Sequence, residues 1–262
     1  MNSQIYFDLA SSSLTVLMLG IGAYQDIKRR EVDDWVWFIA VPAAALNVYR
    51  LATDTLPIGP VEWGAELALL SAMAIGFYYA GLFGGADAKA LVAVGAALPS
   101  PMLPFHSQII LLGLTVFDNG VVLAVLYSAL FTVRNLLMAA FSDGYLGRYS
   151  QARFKTKFGL MLSAYKTNVG EYLKSSYKLF LAEIPQTDPN GRVHFEPLFK
   201  VHLAFDDDIE AGLAKLVEQG SVTRDQEIWV SPGLPLVTFM FLGLILTYFL
   251  GDVVFRVVSL FA

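Results

Sequence analysis

Trp63-Gly64-Ala65-Glu66-Leu67-Ala68-Leu69-Leu70-Ser71-Ala72-Met73-Ala74-Ile75-Gly76-Phe77-Tyr78-Tyr79-Ala80-Gly81-Leu82-Phe83 carries a single charge, Glu66. As a helix at 1.5 Å per residue it would reach about 30 Å, the thickness of a bilayer's hydrocarbon core. Comparable apolar runs lie on both sides of it. They are Ile5–Tyr24, Trp35–Leu51, Ala88–Leu103 (a short span or a re-entrant segment), Asn119–Phe141 and Leu234–Val254. The pattern predicts an all-α polytopic membrane protein of six transmembrane helices. Pro104–Phe117 is also apolar, but it opens on a proline and is interrupted by His106 and Gly113. It reads as an interfacial outer loop, with a seventh crossing as the alternative.

Composition agrees with a lipid-embedded chain. Hydrophobic residues make up 56%, charged residues 16%, and mean hydropathy is +0.55. So little polar surface cannot coat a soluble globule of 262 residues. A net charge of −5 excludes a nucleic-acid partner; the bilayer is the expected one. The absence of cysteine excludes disulfides, thiol catalysis and cysteine-ligated metals.

Charge is unevenly distributed. Between Ser142 and Pro232, 23 of 91 residues are charged, a soluble-like share; the other 171 residues hold 18 charges. The predicted domains are a membrane domain over 1–141, a water-facing insertion over 142–232 and a final span over 233–262. Placing both termini outside puts 15 of the 18 Lys and Arg on the cytoplasmic side: Lys28, Arg29, Arg30, Lys89 and the 11 of the insertion. The positive-inside rule favours that orientation in a multi-pass cell-membrane protein. Arg50, Arg134 and Arg256 are the exceptions, near helix ends or able to snorkel. No small-residue cleavage site follows the first span, so it reads as a retained helix and not a signal peptide.

Two aspartates stand at the lip of the bilayer, where a charge is costly. Asp26 closes the first span in Tyr24-Gln25-Asp26-Ile27-Lys28-Arg29-Arg30-Glu31-Val32-Asp33-Asp34. Asp87 follows the third in Gly84-Gly85-Ala86-Asp87-Ala88-Lys89. Under six spans both lie at one cytoplasmic depth. Two nearby carboxyls cannot both ionise cheaply, so one can act as base while the other donates a proton. Each alone also reads as a lip residue, Asp26 paired with Lys28 or Arg29 and Asp87 with Lys89 or a helix cap. Ala68, Ala72, Gly76, Ala80 and Gly84 recur every four residues down the third span. This stripe is expected to admit a neighbouring helix and to position Asp87.

Gly84-Gly85-Ala86-Asp87 resembles the GxGD signature of intramembrane-type aspartyl proteases. Tyr24-Gln25-Asp26 and its basic-then-acidic run resemble the first-aspartate motif of type IV prepilin peptidases. Arg30-Glu31-Val32-Asp33-Asp34, Gly84 to Leu91, and Glu227-Ile228-Trp229-Val230-Ser231-Pro232 with Pro235 extend the likeness, in order, to the archaeal preflagellin peptidases. The resemblance implies a membrane-embedded aspartyl protease with Asp26 and Asp87 as its catalytic pair. It further implies cleavage of the short basic leader of archaellin or type IV pilin-like precursors, at the cytoplasmic face, after a Lys/Arg-Gly sequence. Ala86 stands where the motif's second glycine would be. Gly84, Gly85, Ala86 and Lys89 are the motif's supporting residues. Glu31, Asp33 and Asp34 are candidate readers of the leader's basic residue; their plainer roles are to balance Lys28, Arg29 and Arg30 or to cap the second span. No cofactor is expected, since no ligand cluster flanks the aspartates.

Other constellations are weaker. His194, Glu196 and His202 match no standard zinc spacing, and Asp206-Asp207-Asp208 reads as the acidic start of an amphipathic helix over Ile209–Gln219. In the insertion, Arg153–Ile184 has helical spacing, aromatic and basic, suited to the inner leaflet. Asp188-Pro189-Asn190-Gly191 is a turn, Arg192–Phe195 a short strand and Glu227–Val230 an extended run, together a small α+β domain. The competing functional class is a proton- or cation-coupled transporter, which would place acids near mid-membrane and show inverted repeats. The oligomeric state stays open at this level.

Overall fold

The structure is a computed structural model that describes residues 2–98, 111–142, 144–175, 178–189, 192–198 and 207–259. Its chain contacts divide into two units. One comprises Met1–Ala124 with Pro235–Ala262, the other Val125–Leu234.

The first unit is helical. It holds α1 (Asn2–Arg29), a 3-10 turn (Asp34–Ile39) leading into α2 (Ala40–Ala52), α3 (Pro60–Tyr79), α4 (Gly85–Ala97), the start of α5 (Leu112–Phe141), and α9 (Leu236–Leu250) with α10 (Val253–Ser259). Among the described residues three stretches are long and apolar enough to cross a membrane: Gln4–Arg29, Asp34–Ala52 and Leu112–Phe141. A fourth arises if α9 and α10, bent by 54°, count as one span. At 13 residues α4 is too short. In α3, Glu62 and Glu66 dilute the first two turns. The chain is thus a mostly helical membrane protein with a small sheet region towards its C-terminal end.

Several boundaries differ from expectation. The third helix stops at Tyr79 instead of Phe83. The Gly81 amide donates to the Tyr78 carbonyl at 3.0 Å and the Leu82 amide to the Phe77 carbonyl at 2.9 Å. This is a Schellman close, with Gly81 left-handed at φ 72°. The fifth helix begins at Leu112, so Leu112–Phe117 is helix and not loop; residues 104–110 of that predicted loop, like 99–103 of the fourth span, lie outside the described residues. Its start is fixed by the buried Glu66, whose Oε1 accepts the Gly113 amide at 2.7 Å and the Leu114 amide at 3.3 Å. A carboxylate here satisfies two of the helix's orphan donors. The sixth span is broken at Gly251 (φ 69°), and Asn119 fastens the break: it donates to the Gly251 carbonyl at 2.8 Å and accepts the Val253 amide at 3.1 Å.

The small-residue stripe is corrected outright. Ala68, Ala72, Gly76, Ala80 and Gly84 are all exposed, and a side chain at Gly76 would meet nothing within 4 Å. The face of α3 that packs is Trp63, Glu66, Leu70 and Ala74. Close helix approach occurs elsewhere. A Cβ on Gly113 would come within 3.0 Å of the Gly95 Cα, and one on Gly243 within 2.6 Å of the Gly120 nitrogen. Spacing alone does not tell a lipid-facing row of small residues from a packed one, because lipid tails are as apolar as a helix neighbour. Arg50 does not snorkel: it is buried at 1% exposure with Nη1 2.7 Å from Asp8 Oδ1.

The second unit carries the end of α5, α6 (Phe154–Ser163), β1 (Tyr165–Asn168), α7 (Val169–Lys174), β2 (Phe180–Leu181), β3 (Glu183–Thr187), β4 (Val193–Pro197), α8 (Asp207–Glu218) and β5 (Glu227–Ser231). Strands β1 and β2 flank β5, both antiparallel, with Tyr165 opposite Val230 and Leu181 opposite the same residue. Strands β3 and β4 form a separate hairpin, Thr187 opposite Val193. The expected helical run Arg153–Ile184 is therefore only helical to Ser163 and over α7; pairing with β5, 49 to 65 positions away, overrides the local spacing. The strand over Arg192–Phe195, the extended run at Glu227 and the helix after the acidic triplet appear as β4, β5 and α8. Buried Glu183 joins the two sheets: its Oε2 accepts the Tyr149 hydroxyl at 2.5 Å and its Oε1 the Trp229 amide at 3.0 Å.

Candidate active site

Asp26 occupies the last turn of α1 and is buried at 8% exposure. The helix ends through Arg30, a non-glycine residue at φ 58°, whose amide donates to the Asp26 carbonyl at 3.0 Å. A left-handed arginine costs on the order of 1 kcal/mol. That turn brings its guanidinium back over the helix end, Nη1 3.9 Å from Asp26 Oδ1. On the other side, Asp26 Oδ2 accepts the Thr238 amide at 3.3 Å, with the Thr238 hydroxyl at 3.5 Å. Thr238 lies in the first turn of α9, whose N-cap Pro235 offers no side-chain acceptor. Asp26 supplies one in its place, at a positive helix end.

Asp87 sits in the first turn of α4. Its Oδ2 reaches back to accept the Gly84 amide at 2.9 Å, the carboxylate half of a capping box. Gly84 itself is extended, φ −75° and ψ 166°. Asp87 belongs to the junction between the third and fourth predicted spans. Burial pushes its carboxyl up to about 7, the Gly84 amide pulls it down, the Asp26 charge raises it and the Arg30 charge lowers it. The two aspartates, 61 positions apart in sequence, thus share one electrostatic neighbourhood in which Arg30 also acts.

Of the remaining expected site residues, Gly85 and Ala86 open α4 beside Gly84. A Cβ on Gly85 would meet nothing within 4 Å. Lys89 Nζ pairs with Asp34 Oδ1 at 2.6 Å. Asp33 is engaged by three donors: Gln25 Nε2 at 3.0 Å, Arg29 Nη2 at 3.0 Å and Trp35 Nε1 at 3.3 Å. Arg29 first, with Trp35 and Gln25, holds its carboxyl below the usual range. The Asp33 amide donates back to Gln25 Oε1 at 2.8 Å, which folds the loop onto the end of α1. The Glu31 side chain is exposed and makes no hydrogen bond or ion pair among the described residues. His194 Nε2 lies 3.4 Å from Glu196 Oε1, both exposed, while His202 lies outside the described residues.

Sequence reasoning missed three residues that shape the site. Gly81 sets where α3 stops; a glycine just past an apolar periodic run was its signal. Arg30 was read only as a positive charge. Thr238 carried no signal, since its contact crosses 212 positions.

Comparison with known proteins gives two matches, one to each part of the chain. Residues 13–137 match the type IV leader peptidase family, and residues 156–253 match the archaeal peptidase A24 C-terminus, type II. Across these two segments the chain is similar to the type IV leader peptidase family and to the C-terminal part of its archaeal members. That similarity supports a membrane protease that removes leader peptides. It is 28% identical to a preflagellin peptidase of Methanococcus voltae, over 94% of this chain and 97% of that one. It is 26% identical to a preflagellin peptidase of Methanococcus maripaludis, over 90% and 93%. The first family match holds Asp26, Asp87 and every acidic candidate of the loop; the second begins inside α6 and ends in α10.

Proposed function

We propose that this protein is an aspartyl endopeptidase with Asp26 and Asp87 as its catalytic pair. It removes the short basic leader of archaellin or type IV pilin-like precursors, cleaving after glycine at the cytoplasmic face. The supporting observation is the pair itself: two carboxyls held on separate helices, coupled in charge, and each facing a different set of donors. Around buried Asp26 an amide, a hydroxyl and a guanidinium work against its burial and favour the ionised form. Asp87 has one amide and titrates at about 7, so it keeps its proton through the mildly acid range.

In this reading ionised Asp26 takes a proton from water as the oxygen attacks the scissile carbonyl. Protonated Asp87 donates to the carbonyl oxygen. Collapse of the tetrahedral species breaks the C–N bond and returns a proton to the leaving amine, giving a leader with a free carboxylate and a mature chain with a free amine. Six spans with both termini outside put both aspartates at the cytoplasmic lip, where a soluble basic leader meets them.

The test is co-expression with an archaellin precursor. Asp26→Asn and Asp87→Asn should each abolish the mobility shift of leader removal while the enzyme stays in the membrane fraction. Substantial cleavage by either variant would falsify the pairing.

A further inference from the structure

Within the second unit, α6 has two apolar faces and fills only one. Leu160, 3% exposed, packs inward with Tyr149, Ala164, Ala182 and Trp229. The other face is Phe154, Phe158 and Leu162, which are 78%, 48% and 37% exposed. Phe154 and Phe158 are stacked, centroids 5.8 Å apart, and so present one continuous apolar surface. At about 100° per residue these three cover roughly 80° of the helix, Lys157 falls on one side and Lys155 on the other. Arg153 precedes the helix, which contains no acidic residue. None of the three cations forms an ion pair among the described residues.

What covers this face follows from where α6 is tied. Asn135, buried in α5, donates to the Met161 carbonyl at 2.8 Å and the Ala164 carbonyl at 2.7 Å. These are orphan acceptors at the C-terminal end of α6. Asn135 lies six residues before the end of a helix apolar enough to span the bilayer. From Asp118 to Arg134, the next charge, α5 rises about 24 Å, close to a hydrocarbon thickness. Asn135 therefore sits at the edge of the apolar layer, and α6 is fastened at that level. Around it Leu130, Val133, Leu136, Leu137 and Phe141 of α5 are themselves exposed and apolar.

We infer that α6 is an interfacial helix that seats Phe154, Phe158 and Leu162 in the acyl boundary of an anionic leaflet, with Arg153, Lys155 and Lys157 at the phosphate level. The stripe is apolar like the exposed residues of α5, to which α6 is tied through Asn135, and the flanking cations match anionic headgroups.

The absence of native cysteine makes a direct test possible. Phe158→Cys and, as a control in the β3–β4 hairpin, Glu196→Cys would each carry an environment-sensitive fluorophore in the full chain. Both would be reconstituted in vesicles of phosphatidylcholine with phosphatidylglycerol. The expected result is strong quenching of the Phe158→Cys label by doxyl-labelled lipid, at least threefold that of the Glu196→Cys label, and weak quenching by iodide. Phosphatidylcholine alone should reduce the lipid quenching. Equal iodide quenching at the two positions would overturn the inference. So would protection that grows with the protein-to-lipid ratio, which would mean a second copy covers the face, or protection that appears only with added precursor.

Discussion

Lys89 Nζ lies 2.6 Å from Asp34 Oδ1, tying α4 to the start of the second predicted span two residues after Asp87. Asp33 is likewise held, by Gln25, Arg29 and Trp35. Of the three acids expected to read the leader, Glu31 alone has a side chain without a partner among the described residues. The proposed recognition of a basic leader residue is therefore assigned to Glu31. Glu31→Lys should lower cleavage of a Lys/Arg-Gly precursor about fivefold, the equivalent of ~1 kcal/mol for an exposed pair, and an acidic residue in the leader should restore part of it. Asp33→Lys should instead reduce the amount of folded enzyme, with no recovery from the leader swap. Cleavage per membrane-inserted enzyme, measured for each enzyme–leader combination, separates the two.

Cleavage should depend on pH through Asp87. With its carboxyl pushed up to about 7, the donated proton is lost as pH rises through that value, and the rate should fall with it. Stability follows the same sign. A carboxyl that titrates higher in the folded state favours folding when protonated, so its contribution is full below the ordinary aspartate range and is lost as pH rises towards 7. Because the Asp26 charge is among the causes, Asp26→Asn should move the Asp87 titration downward. Infrared absorption of the protonated carboxyl against pH checks this in the inactive variant. An unchanged or upward midpoint would mean that the two carboxyls are not coupled.

Thr238 should act through Asp26. Thr238→Val keeps the shape and the amide but removes the hydroxyl 3.5 Å from Oδ2, and should lower kcat about fivefold (~1 kcal/mol) with KM little changed. Thr238→Ser should restore most of the rate. The acid limb of the pH profile should move upward in the valine variant, because a donor to the ionised form has gone. A loss in Thr238→Val with no shift in that limb would assign the hydroxyl to helix packing, through its 3.3 Å contact with the Ala23 carbonyl.

Gly81 should matter more than Gly84. Gly81 is left-handed, where a side chain costs about 1 kcal/mol or more. Gly84 is extended, and a Cβ there would meet nothing closer than Asp87 Oδ2 at 3.4 Å. Gly81→Ala should lower the thermal midpoint of the solubilised enzyme measurably, while Gly84→Ala should leave it near the parent. The reverse order would show that the small-residue stripe, and not the Schellman turn, sets the approach to Asp87.

What could be read in the chain was what is local. The membrane class follows from apolar runs. Asp26 and Asp87 stood out as candidates because an acid beside such a run is costly wherever its partner lies. The acceptor for the Gly113 amide is Glu66, 47 positions upstream, so the start of α5 was placed seven residues late. Glycine pairs such as Gly95 with Gly113 were invisible for the same reason, since a glycine's sequence neighbours do not reveal what approaches it. The row from Ala68 to Gly84 has the spacing of a packed seam and faces outward. In the second unit, strand partners came from distant segments, and helical spacing after Ser163 gave way to them.

The hydrogen bond from Thr238 to Asp26 also has a meaning in time. Asp26 and Asp87 are translated and inserted early, while the amide that anchors Asp26 arrives on a helix made 212 residues later. During biogenesis both acids precede α9, and the first has no anchor from it. A stalled or truncated nascent chain therefore lacks the amide that holds Asp26, and that contact waits on insertion of the late helix.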